Sequence, residues 1–124
     1  MNSPRFRTMV AVGALLLLGV CLQSCGDASS PEIINVSLAG AETYQYPAVG
    51  GDEDGARVST QARHYTISEI RRDAETNWVA TFVYQPITGF AGSDQAEIEI
   101  MTGSDGAGAP GNVKRVVFHF DIHK

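Results

Sequence analysis

Three groups of residues in this chain have the types and spacing to do chemistry. The segment Gly50–Gly55 reads GGDEDG and carries Asp52 and Asp54 on alternate positions. Calcium takes six to eight oxygen ligands, and an EF-hand loop needs acids at its first, third, fifth and twelfth positions. Here Gly50 stands where the first ligand belongs and Gln61 where the last belongs. Asp105, in a second glycine-rich segment, adds an oxygen only if the two loops meet. A solvated acidic turn is the expected state of Asp52 and Asp54, with calcium as the alternative.

Near the C-terminus, His119, Asp121 and His123 alternate. On a regular strand, alternate residues lie ~6.6 Å apart and His119 to His123 ~13 Å, too far for one ion to take both imidazoles. A surface His–Asp pair is the expected outcome. No GxSxG, HExxH or paired-carboxylate motif is present, and His64 lies no nearer to Ser59 or Ser68 than chance places it. The chain is expected not to be an enzyme. The third group is aromatic. Tyr44, Tyr46, Tyr65 and Trp78 could form a sugar-stacking platform. Trp78, however, falls in phase with Phe82 and Tyr84, and so is expected in the core; Tyr44 and Tyr46 share a face beside Pro47 and are expected to pack in the core or at an edge.

The N-terminal 25 residues read MNSPRFRTMVAVGALLLLGVCLQSC. Arg5 and Arg7 precede an uncharged apolar run from Val10 to Val20. That run is short for a helix crossing ~30 Å of hydrocarbon and suits the apolar region of a signal peptide. Leu22-Gln23-Ser24-Cys25 resembles a bacterial lipobox, with an aliphatic residue three before the cysteine and a small one just before it. Leu18-Gly19-Val20-Cys21 is the weaker match, because Val20 is a poor residue before the cleavage point. The resemblance implies removal of residues 1–24 as a helical lipoprotein signal peptide. It also implies diacylglyceryl modification of Cys25, with a further acyl chain on the new N-terminus. Each buried methylene contributes about 0.8 kcal/mol, so two or more chains hold a protein stably on a bilayer.

Removing Arg5 and Arg7 from the nine basic residues leaves seven against fourteen acidic ones. A domain so acidic repels phosphates, and nucleic acid is not an expected partner. With Cys21 lost and Cys25 acylated, no cysteine pair remains for a disulfide. Packing alone must hold the domain.

The elements that would position these groups are short and alternating. Residues 25–32 (CGDASSPE) read as the acylated cysteine and a small, polar tether. From 33 to 124, period-2 segments are separated by turn residues, at 33–38, 43–47, 57–60, 63–70, 77–84, 95–102 and 113–123. Ala96, Ile98 and Ile100 face one way, with Glu97 and Glu99 opposite. Val116, Phe118, Phe120 and Ile122 form another apolar face, opposed by Val117, His119, Asp121 and His123. The glycine-rich segment 103–112 would join the last two strands as a hairpin loop. An all-β, antiparallel sandwich of about seven strands follows.

The segment Tyr84-Gln85-Pro86-Ile87-Thr88-Gly89-Phe90-Ala91-Gly92-Ser93-Asp94 resembles the YxPxxGFxGxD signature of bacterial immunoglobulin-like and cadherin-like repeats. The likeness runs from about Trp78 to the end and implies an immunoglobulin-like fold. The motif also has a physical reading of its own. Pro86 lacks an amide donor and takes the chain out of the ladder; Gly89 and Gly92 permit a tight corner; Phe90 folds back as a plug; Asp94 accepts backbone amides and starts the next strand. None of this is catalytic.

Together the two resemblances imply a lipid-anchored protein of the bacterial cell envelope, in the outer membrane if the source is Gram-negative. Its single domain would serve as a structural or protein-binding module, touching the membrane through its anchor and another envelope protein or a glycan through its surface. A calcium- or carbohydrate-binding lipoprotein is one alternative. A small inhibitor or accessory subunit of an envelope enzyme, acting through the 103–112 loop, is the other.

Overall fold

The computed structural model describes residues 29–49, 54–103 and 110–124. The leader, Cys25, Asp52 and Asp105 lie outside the described residues. The described residues form seven strands: β1 (Glu32–Ala39), β2 (Tyr44–Val49), β3 (Gly55–Thr60), β4 (Tyr65–Arg71), β5 (Ala80–Pro86), β6 (Gly92–Thr102) and β7 (Asn112–His123). They form a four-stranded sheet of order β1-β7-β6-β3 and a three-stranded sheet of order β2-β5-β4. This is an immunoglobulin-like sandwich, with the first strand paired to the last instead of to the second.

The expectation of an antiparallel sandwich needs one correction. β1 runs parallel to β7, from Glu32 opposite Val116 to Ala39 opposite His123. A parallel pair cannot be closed by a hairpin, and here the two paired strands stand at opposite ends of the described chain. Strand boundaries also shift slightly. β1 takes in Glu32 from the expected tether, and β6 begins at Gly92, two residues before Asp94.

Strand alternation builds the core. Phe82 and Tyr84 of β5 meet Val116, Phe118, Phe120 and Ile122 of β7 and Ala96, Ile98 and Ile100 of β6, all buried. Tyr84 stacks on Phe120 with ring centroids 3.8 Å apart, and Phe82 on Phe118 at 4.9 Å. Tyr44 approaches Phe118 and Phe120 edge-on at 5.8 Å, and Tyr46 meets Phe118 at 5.2 Å. Such pairs add about 0.5–1.5 kcal/mol beyond area burial. The two tyrosines thus spend their rings on the core. Tyr65, at 37% exposure, lies at the start of β4 on the sheet edge.

Trp78 is not in the core. It is 68% exposed, because β5 starts only at Ala80 and the preceding residues close a turn. Asp73 caps that turn: its Oδ1 accepts the amides of Glu75 and Thr76 at 2.9 and 3.1 Å. The Trp78 amide donates to the Asp73 carbonyl at 2.8 Å, and Asn77 and Trp78 take left-handed φ values of 52° and 62°. Strand phase does not pass through such a turn, so the in-phase position of Trp78 carried no information.

Connections place the loops at two ends. One end holds the start of β1, the end of β2, the start of β3, the turn between β4 and β5, the end of β6 and the start of β7; there Arg72 Nη2 donates to the Asp54 carbonyl at 2.6 Å. The opposite end holds the β1–β2, β3–β4 and β5–β6 connections, where Gln85 Nε2 donates to the Ala41 carbonyl at 3.0 Å.

Candidate functional site

The Tyr84–Asp94 segment crosses from the three-stranded to the four-stranded sheet, and its two ends bond to each other. Tyr84 Oη donates to Asp94 Oδ2 at 2.9 Å. Asp94 falls in the inward phase of β6 and is 7% exposed. Its carboxylate accepts three backbone amides as well, from Arg63, His64 and Gln95, each at 2.9 Å. Burial alone would raise the Asp94 pKa; the three amides and the phenol outweigh it and hold the carboxyl below its ordinary range. The Tyr84 phenol moves the other way, pushed well above its usual value by burial first and by its bond to Asp94 second.

The corner between them follows the residue types. Phe90 N donates to the Ile87 carbonyl at 3.0 Å, and Gly89 at the third position has φ 85°, the value a type II turn demands. Gly92 has φ 135°. Phe90 stacks on the His64 ring at 4.2 Å and packs against the edge of the core. Pro86 keeps a place in the ladder, opposite Tyr65, as the last residue of β5. The motif is a staple between sheets at the end away from the start of β1.

Above this staple, the outer face of the four-stranded sheet carries a groove of about 950 Å³. Strand register fixes its lining: Asn35, His119 and Gln95 form one row across β1, β7 and β6, and Ser37, Asp121 and Ser93 the next. Gln61, Arg63 and His64 close one side. Ser37 Oγ lies 2.9 Å from His123 Nε2, and that nitrogen is 3.7 Å from Asp121 Oδ2. The groove therefore offers amides, hydroxyls, imidazoles, one carboxylate and one guanidinium, a set suited to holding backbone amides or hydroxyls.

His119, Asp121 and His123 do share one face, as their alternation requires. Among the described residues, no three carboxylates, histidines or cysteines gather as a metal would need. Asp54 is described and spends its carbonyl on Arg72. The serines near His64 have other partners: Ser68 Oγ donates to Gln61 Oε1, and Ser59 Oγ lies 3.2 Å from both the carbonyl and Oε1 of Glu97. Asn35, Ser37, Gln61, Ser93 and Gln95 were not singled out from the sequence. Their signal was present, since they hold outward positions, but uniting them needs the β1–β7 pairing.

No protein-family model matches the chain, and no curated protein is significantly similar to it. The class is defined by the fold alone: the described residues form an all-β sandwich with immunoglobulin-like strand order.

Proposed function

We propose that the chain is a lipid-anchored protein of the bacterial cell envelope whose one domain binds a protein partner without turnover. The lipobox at Cys25 and the YxPxxGFxGxD likeness supply the location and the family expectation. The observation that carries the binding reading is the groove on the outer face. Its rows Asn35–His119–Gln95 and Ser37–Asp121–Ser93 present hydrogen-bonding side chains that ion pairs do not consume, except for the weak His123–Asp121 contact. Farther along the same face, Glu97 is taken by Arg115 at 2.8 Å and Glu99 by Arg57.

A photo-crosslinking residue placed at Gln95 of the full-length protein, irradiated in intact cells, tests this. One discrete protein adduct is expected from Gln95 and none from Thr43, which lies on the connection into β2. Monomer alone from Gln95, Asn35 and Asp121 would remove the protein-binding reading.

A further inference from the structure

We propose that the end of the sandwich bearing the β4–β5 turn rests on the bilayer, with the Trp78 indole in the lipid headgroup region. The inference rests on the reading of Cys25 as the acylated residue and adds an orientation to it. β1 begins at Glu32, so the tether leaves from the end that also carries the turn holding Trp78. Six residues separate Cys25 from Glu32, and the seven Cα-to-Cα steps span ~25 Å when fully stretched. β1 itself, with eight residues, is ~26 Å long. To lay the opposite end on the membrane, the tether would have to run back along the whole strand at full stretch, so Tyr65 and Ile87, exposed at that end, lie beyond its working range.

The membrane-side end has the chemistry for a shallow contact. Trp78, Ile33 and Val113 are 68%, 57% and 47% exposed, and all three lie toward it. Tryptophan, with an apolar ring system and one N–H, prefers the boundary between headgroups and acyl chains. The backbone that carries the indole is held in place: eight backbone and side-chain bonds close the Asp73–Val79 turn, and two successive non-glycine residues, Asn77 and Trp78, take left-handed backbone. Charge at this end is mixed, with Arg71 facing Asp73 and Glu75 and Lys114 facing Glu32, so no basic patch forms and the surface that fits is zwitterionic.

Trp78 is the chain's single tryptophan, so its emission reports this site alone. The full chain, processed in a lipoprotein-competent bacterium and checked by intact mass for acyl groups, is reconstituted into phosphatidylcholine vesicles. Half of the preparations carry acyl chains brominated near the headgroup. At least twofold quenching by bromolipid, with a blue-shifted emission, is expected. Vesicle-bound, acylated protein whose emission stays that of a water-exposed indole would overturn the orientation and leave the anchor standing. Absence of acyl mass would remove the anchor and this orientation with it.

Discussion

The two ends of the sandwich invert the usual placement of charge. Toward the start of β1, the buried interior is apolar, with Ile98, Ile100 and Val116, while the outer face is laced by Glu97–Arg115 and Glu99–Arg57, and Glu32–Lys114 closes the mouth of the inner face. Toward the staple, a carboxylate sits inside and the outer face carries mostly uncharged hydrogen-bonding groups. A charge inside a small domain is tolerable only when its acceptor sites are filled, and Asp94 has four donors. One end is held by packing, the other by a satisfied polar node.

The largest break in that comparison should come from the node itself. Asp94→Ala leaves three amides and a phenol without their acceptor, and should cost about 3–5 kcal/mol in urea unfolding, comparable with Phe118→Ala in the aromatic stack. A loss below 1 kcal/mol would show that water fills the node instead. Tyr84→Phe removes one charge-assisted bond and keeps the ring on Phe120, so a loss of about 1.5–3 kcal/mol is expected.

The two groups also predict opposite pH behaviour. The folded-state pKa of Asp94 is depressed, so its contribution is present above the unfolded value, near ~3.9, and is lost as pH falls through the folded one. Tyr84 is raised; its contribution is complete below the unfolded value, near ~10, and is lost as pH rises toward the folded one. Urea midpoints of the wild type should therefore fall on both flanks. Asp94→Asn should flatten the acid flank, and Tyr84→Phe the alkaline one. Unchanged slopes in the variants would mean other groups govern both limbs.

At the end carrying the β4–β5 turn the expected effects are smaller, and one has the reverse sign. Trp78→Gly relieves a left-handed residue worth ~1 kcal/mol and removes an exposed side chain, so thermal unfolding should show a gain of about 0.5–1 kcal/mol. A marked loss would show that the indole packs on the domain. Glu97→Gln breaks an exposed ion pair with Arg115 and should change stability by about 0–1 kcal/mol, vanishing in high salt.

How much of this was legible before folding differs between the ends. The apolar phases of 96–100 and 116–122 were readable because strand side chains alternate and both segments run unbroken. The staple was readable as a corner, since Gly89 and Gly92 mark it, and as an amide acceptor in Asp94. That its carboxylate also takes the Tyr84 phenol was not, because the partners are ten residues apart and lie on different sheets. Trp78 was misplaced although its turn left a mark: Asp73 with Thr76 three residues on is a helix-capping pattern, and Asn77 is a residue that tolerates left-handed backbone. Extending period-2 phase through it ignored the stop.

Residue types and their alternation therefore determined the all-β class, the number of strands among the described residues and most of the core. These are local properties, fixed by which side chains avoid water and which backbone angles glycine and proline permit. Tertiary structure decided the parallel pairing of β1 with β7, the groove that this pairing assembles from two ends of the chain, and the exposure of Trp78. Those depend on which strands become neighbours across some eighty residues, and a neighbour across that distance leaves no periodic trace in either segment.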